Sequence, residues 1–194
     1  MRASCRDTTL LPVQPATIDD PYRRRLHDAF WAPRLAQLRD VTLPALLARY
    51  EAHGVVESFR RLRQADPPPR DASWLGAWVS DSDLYKWLEA AALAARLDLA
   101  DPVIAAVAAA QDSDGYLHSY YGHDGMGRYF DPDTGHELYC MGHCIEAAVS
   151  HHEATGRRAL LDVAVRIGEH VVTTFGPGRD ERVDLHPEME LALC

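Results

Sequence analysis

The chain has 194 residues, 47% apolar and 25% charged, enough for one soluble globular domain with a sizeable core. Its formal net charge of -9 argues against a general nucleic-acid or anionic-membrane partner. The longest apolar run, Val103 to Ala110, falls far short of the roughly 20 residues a membrane helix needs.

Residues 1–27 carry Thr, Pro, Asp and Arg without periodicity and read as an extended or poorly ordered lead to a domain over 28–194. No basic-then-apolar leader opens the chain, and Cys5, Cys140, Cys144 and Cys194 have no disulfide-framework spacing. Reduced thiols and a cytoplasmic location are expected. From Phe30 the pattern turns helical, with Leu35, Leu38, Val41 and Thr42 on one face. Pro44 must kink that helix or start a new one, and Gly54 ends the segment where a left-handed residue is needed. Residues 64–76, with three consecutive prolines, form a loop.

Ser80-Asp81-Ser82-Asp83 then opens an amphipathic helix, with Ser80 as cap and Asp83 returning the bond. Leu84, Trp87, Leu88, Ala91 and Ala95 form its stripe. Asp101-Pro102 reads as the start of a short, buried helix over Val103–Gln111. With so short a connection the two helices pack antiparallel. The long loop after them holds Tyr116, Tyr120, Tyr121 and Tyr129, which suit either a sugar-stacking surface or packing that keeps the loop folded.

The stretch from His136 to Glu146 concentrates two histidines, two acids and two thiols in eleven residues. It opens a helix running from about Glu137 to Ala154, with Leu138, Met141, Ile145, Ala148 and Val149 facing inward and Gly156 as C-cap. His151 and His152 read as solvated residues near its end. Leu160, Leu161, Ala164, Ile167 and Val171 define the return helix, which stops before Phe175-Gly176-Pro177-Gly178. His186-Pro187-Glu188 then begins a third hairpin.

The first helices of these pairs start near 81, 137 and 187, a period of roughly 50 residues, as in a stack of helical hairpins or a toroid. The expected fold is therefore all-α: stacked antiparallel hairpins. The last helix lacks a partner, so the stack reads as incomplete. Equivalent helix starts lie on one side of such a stack. That places Asp81 and Asp83, His136 and Glu137, and His186 and Glu188 around one opening that suits a neutral polyol. Imidazoles donate to or accept from hydroxyls, and carboxylates accept. His136 and His186 are the substrate-binding candidates. For Asp81, Asp83, Glu137 and Glu188, the weaker candidates, helix capping or buried structural bonds are the alternative. Cys140, His143 and Cys144 fall at metal-ligand spacing on one helical face, but buried core thiols have the same spacing, and no metal is expected in this chain.

Several motifs in series, Phe30-Trp31, Asp81-Ser82-Asp83 with Lys86-Trp87-Leu88-Glu89, Gln111 with Asp114-Gly115-Tyr116-Leu117, His136-Glu137-Leu138-Tyr139 with Gly142-His143 and Glu146, Phe175-Gly176-Pro177, and His186-Pro187-Glu188, resemble the β-L-arabinofuranosidases of glycoside hydrolase family 127. The resemblance implies an (α/α)6 barrel, here roughly its first half, and a retaining enzyme that removes terminal β-L-arabinofuranose from a carbohydrate. It implies a zinc-bound cysteine nucleophile and a glutamate acid/base. These and the zinc ligands correspond to positions downstream of residue 194, which Cys140, Cys144 and Cys194 do not match. His136 and His186 match family histidines that bind sugar hydroxyls. The expectation is an N-terminal fragment, inactive alone, completed by a complementary C-terminal chain or by a homo-oligomer over its open edge. A sugar epimerase or lyase on a related toroid, or a non-catalytic scaffold or sugar-binding module, is the alternative.

Overall fold

The computed structural model describes residues 29–62, 78–122, 127–129 and 135–194. The expected N-terminal lead and the proline-rich loop lie outside them. The backbone divides into two units, Met1–Leu35 and Ala36–Cys194. In the first, Phe30 and Trp31 meet edge to face with centroids 5.0 Å apart, and the Arg34 guanidinium lies 3.7 Å from the Phe30 ring centre. Helix α1 (Trp31–Gln37) begins there.

The second unit opens with one π-helical turn, Leu38–Thr42, before α2 (Leu43–Ala52), with Pro44 in the first turn of α2. The π turn corrects the stripe expected over Leu35, Leu38 and Val41. It inserts an extra residue and rotates the helix beyond it, so Leu43 rather than Val41 is buried; Leu35 and Leu38, ahead of that rotation, are exposed as well, and Thr42 is half-buried. Gly54 takes φ 71°, as a left-handed stop requires, and α3 (Val55–Arg61) begins at once. The sequence pattern does not reveal this helix. It buries Val55, Val56 and Phe59, too short a pattern to read alone.

Helix α4 (Ser80–Leu93) has its cap position at Val79 with no side-chain cap bond, so the expected Ser80–Asp83 box does not form. Ser82 Oγ instead donates to the Val79 carbonyl at 2.9 Å. Helix α5 (Leu97–Ala110) starts five residues before the proline expected to open it, which places Pro102 inside the helix. Proline there forfeits one bond, to the carbonyl four residues back. The early start is held from outside. Arg96 clamps Asp98 through Nε and Nη2 at 2.9 and 2.8 Å and donates from Nη1 to the Arg39 carbonyl at 2.7 Å. Ala100 is fully buried.

Helices α6 (Glu137–Thr155) and α7 (Ala159–Thr174) have the expected bounds, with Gly156 at φ 72° between them. Val149 is the exception in the inner stripe, being exposed. Helix α8 (Glu188–Ala192) closes the order. Among the described residues there is no strand, only an isolated bridge between Phe175 and Asp180.

Packing alternates along the chain: α2 on α4, α4 on α6 and α6 on α8, while α3 packs on α5 and α5 on α7. Short connectors reverse direction within the α4–α5 and α6–α7 hairpins and longer loops return the chain between them, so the unit is two-layered, with the starts of α4, α6 and α8 at one end. The core between the layers holds Leu84, Leu88, Val107, Met141, Leu160 and Ile167. Gly115 pins the loop onto α7. It has φ 91°, and a Cβ there would lie 2.2 Å from the Arg166 carbonyl oxygen. Gln111 Nε2 locks the turn by donating to the carbonyls of Gly115 and Val163 at 3.0 and 2.9 Å.

Candidate functional site

Two histidines fifty positions apart meet at the end where α4, α6 and α8 begin. The rings of His136 and His186 have centroids 5.0 Å apart at an interplanar angle of 45°. His136 sits just before α6 in the left-handed region, at φ 56°. That conformation costs a non-glycine residue about 1–2 kcal/mol. The next residue supplies the constraint. Glu137 is buried, its Oε1 accepts from the Tyr116 hydroxyl, and its Oε2 accepts from the Tyr129 N–H at 2.8 Å. With Glu137 drawn inward, the backbone turn leaves the His136 ring at the rim, half-buried.

His186 is held by the turn that carries it. Asp184 accepts from the His186 N–H at 3.3 Å and from the Tyr139 N–H at 3.1 Å, which ties the turn to the first turn of α6. Tyr139 lies 5.7 Å from His136 and 5.1 Å from His186, centroid to centroid. Its hydroxyl accepts from Lys86 Nζ of α4 at 2.7 Å. The rim is therefore two imidazoles, a phenol and an ammonium, from three helix starts. Sequence reasoning missed Lys86 and Tyr139 as site residues. The signal was their spacing: Tyr139 comes three positions after His136 and so shares its face, and Lys86 comes three after Asp83.

The four weaker candidates go elsewhere. Asp81 is buried and accepts from both the N–H (2.7 Å) and the hydroxyl of Ser119. His118 Nδ1 lies 3.8 Å from Asp81, but that nitrogen faces the N–H groups of Tyr120 and Tyr121, so it is an acceptor and the contact is no ion pair. Asp83 is exposed. Asp81 and Glu137 thus make buried structural bonds. Burial raises the Glu137 carboxyl, opposed by the bonds from Tyr116 and Tyr129. Tyr116 and Tyr129 are likewise packing residues. Both are buried, their rings meet edge to face, and Tyr129 Oη lies 3.0 Å from His170 Nε2.

Glu188 turns toward α6. Gly142 makes room for it, since a Cβ there would lie 2.8 Å from Glu188 Cγ. His143 Nδ1 lies 3.0 Å from Glu146 Oε2 and 3.1 Å from Glu188 Oε1. The two values suggest equal partners, but only the Glu146 contact is aligned as a hydrogen bond, and Glu188 Oε1 is buried without one. Burial and the neighbouring Glu146 push the Glu188 carboxyl up to about 7. Burial and Lys86 lower His143, which Glu146 opposes.

Cys140 and Cys144 do not fit a cysteine-held zinc of the kind the resemblance implies. Both are buried, Cys140 Sγ approaches the Trp78 and Val79 carbonyls, and burial pushes both thiols up, toward the protonated form that does not bind metal. His151, expected in solvent, is 2% exposed, and neither ring nitrogen has a hydrogen bond. An open groove of about 440 Å³ runs between α6, α7 and α8, lined by Leu138, Phe175, Met189 and Leu193 among others. It contains neither rim histidine and is lined mainly by apolar groups, so it suits packing rather than sugar.

Known proteins share this outline. A family model described as β-L-arabinofuranosidase, GH127 catalytic domain, matches residues 24–194. A non-reducing end β-L-arabinofuranosidase from Bifidobacterium longum subsp. longum is 40% identical over 138 residues, which is 64% of this chain and 21% of that protein. The solved structure of a GH127 β-L-arabinofuranosidase from Geobacillus stearothermophilus T6 superposes with a TM-score of 0.78 at 35% identity, covering 87% of this chain and 29% of that one. A second solved structure, a GH127 β-arabinofuranosidase, gives 0.76 at 32% identity with the same coverages. The chain spans less than a third of the length of each relative. The two-layered hairpins are accordingly part of an α/α barrel, and the chain belongs to the GH127 β-L-arabinofuranosidase catalytic-domain family.

Proposed function

We propose that residues 1–194 build the sugar-holding part of a retaining β-L-arabinofuranosidase, with His136 and His186 bonding the hydroxyls of a terminal β-L-arabinofuranosyl unit. The single observation that carries this reading is the convergence of the two imidazoles, 5.0 Å apart, from separate helix starts. Tyr139 offers a ring for the apolar face of the sugar, and Lys86 orients its hydroxyl. The two imidazoles can donate to or accept from the hydroxyls of a neutral polyol. Among the described residues, Asp81 and Glu137 are committed inward and do not face the two rim histidines as a carboxylate pair. Bond cleavage therefore belongs to groups other than those at the rim, and this stretch by itself does not hydrolyse arabinofuranosides. The apolar groove beside α8 is where further barrel polypeptide packs. The same reading keeps the chain in a reducing, cytoplasmic setting, where Cys140, Cys144 and Cys194 remain thiols.

Titration of methyl β-L-arabinofuranoside into the 194-residue chain, monitored by NMR shifts of the histidine side chains, tests the reading. Replacing either histidine by alanine removes hydrogen bonding worth about 1 kcal/mol, so affinity falls about fivefold. Asp83→Asn leaves it unchanged. Binding that ignores both histidine substitutions, or turnover of a chromogenic β-L-arabinofuranoside by this chain, refutes the proposal.

A further inference from the structure

Directly inward of the rim, α6 and α8 bring three side chains to one point. His143 and Glu146 share a face of α6, and Glu188 comes from the first residue of α8. One ligand atom from each, an imidazole nitrogen and two carboxylate oxygens, lies within 4.8 Å of the others. Nδ1 of His143 carries at most one proton, yet it stands 3.0 Å from one carboxylate and 3.1 Å from the other. The aligned bond goes to Glu146, which leaves Glu188 Oε1 buried and without a donor. Buried carboxylate oxygens are ordinarily satisfied, so this one calls for a proton shared with Glu146 or for a cation.

Lys86 is the one lysine of the chain. Its charge acts on Glu188, but its Nζ bonds the Tyr139 hydroxyl at 2.7 Å and makes no hydrogen bond to Glu188 Oε1. Glu89, also on α4, adds a third carboxylate, with its Oε1 accepting from Ser150 at 2.9 Å. Glu89, Glu146 and Glu188 thus surround His143 together with the one ammonium of Lys86. The framework is also set. The Tyr139 ring stands edge-on to His143 at 4.6 Å and 88°, which fixes the imidazole plane, and the missing Cβ of Gly142 admits Glu188.

We propose that His143, Glu146 and Glu188 form a binding site for one divalent transition-metal cation. The donor set selects the ion. One imidazole with two carboxylates suits zinc, cobalt or manganese, whereas calcium and magnesium prefer all-oxygen sites and copper(I) prefers sulfur. Bonds of about 2.0–2.2 Å place cis ligands roughly 3 Å apart, the spacing the histidine keeps from both carboxylates. Water fills the remaining positions. His143, whose ionisation burial disfavours, must present Nδ1 unprotonated with its one proton on Nε2, so the imidazole changes tautomer rather than charge on binding.

The test uses zinc or cobalt ions alone with the tag-free 194-residue chain, by calorimetry and by cobalt visible absorption. The expected result is one equivalent bound, with His143→Gln, Glu146→Gln and Glu188→Gln each weakening it at least about tenfold. If one variant misfolds by circular dichroism, the other two still decide, as does a selective shift of the His143 side-chain resonances on adding zinc to the unsubstituted chain. No saturable binding up to about 1 mM metal means that the two carboxylates share a proton instead, and overturns the site. Binding insensitive to all three substitutions overturns it equally. The pair His136→Ala and His186→Ala, which abolishes sugar binding if the proposed function holds, leaves metal affinity within about twofold, so the two readings fail separately.

Discussion

The backbone of Gly142 in α6 and the side chain of Glu188 in α8 approach so closely that a Cβ on Gly142 would lie 2.8 Å from Glu188 Cγ and 3.1 Å from the Glu188 carbonyl oxygen. Glycine inside a helix normally costs about 1 kcal/mol relative to alanine, so Gly142→Ala would stabilise an isolated α6. Here the sign reverses. The added methyl pushes α8 outward, and overpacking costs about 1–3 kcal/mol. His186 rides on the turn that α8 terminates, so sugar affinity falls with stability. Urea unfolding and arabinofuranoside titration of the same variant check both effects. A neutral or stabilised Gly142→Ala shows that α8 is not seated on α6.

Glu137 is the buried anchor that leaves its neighbour His136 at the rim. In Glu137→Gln the amide oxygen can keep the Tyr129 N–H, but the NH2 group then faces the Tyr116 hydroxyl, which must turn from donor to acceptor, and both bonds lose the carboxylate charge. The expected cost is about 1–3 kcal/mol, read from chemical denaturation. Burial holds the Tyr116 phenol above its usual range, so it stays protonated at every working pH. The Asp83→Asn change, on an exposed side chain of the neighbouring helix start, stays within about 0.5 kcal/mol.

His151 lies in the core with both ring nitrogens unpaired, which makes it a liability rather than a surface residue. His151→Leu removes two unsatisfied groups and should raise stability by about 1–2 kcal/mol. The pH dependence gives a second readout. Burial, the largest cause, lowers the folded-state pKa of His151 below its ordinary value of 6.5. Between that lowered value and 6.5 the unfolded chain binds more protons, so stability falls as pH drops below 6.5. The leucine variant loses this part of the acid sensitivity. Thermal melts of both chains from neutral pH down to about 5 decide the point.

Cys194 is exposed, while Cys140 and Cys144 are buried with their thiols pushed up. A thiol reagent at neutral pH should label Cys194 within minutes and reach Cys140 and Cys144 only when urea opens the core. Peptide mass spectrometry resolves the three. Rapid labelling of Cys140 or Cys144 in the folded chain would contradict the packing of α6 on α4.

Much of the architecture is legible in local pattern. Gly54 and Gly156 end helices because only a left-handed residue closes those turns, and both take positive φ. The bounds of α6 and α7 come from apolar spacing within each helix, an energy settled over three or four residues. The repeat of polar helix starts also predicts that His136 and His186 share one end. Where local reading fails, a distant partner has outvoted it. The start of α5 depends on Arg96 reaching Arg39, fifty-seven positions back.

Amino-acid order alone dictates that this chain is an all-α stack of hairpins and that its helix starts are rich in polar groups. The task of each polar group is assigned only once the helices have packed. Asp81 and Glu137 turn inward because Ser119 and Tyr116 come to them from a loop 38 and 21 positions away. His151 is buried because the packing of neighbouring helices covers it, and Glu188 meets His143 because Gly142 lacks a side chain. A buried carboxylate or imidazole takes whichever donor the fold delivers, and that choice is made by long-range packing, which no local periodicity records.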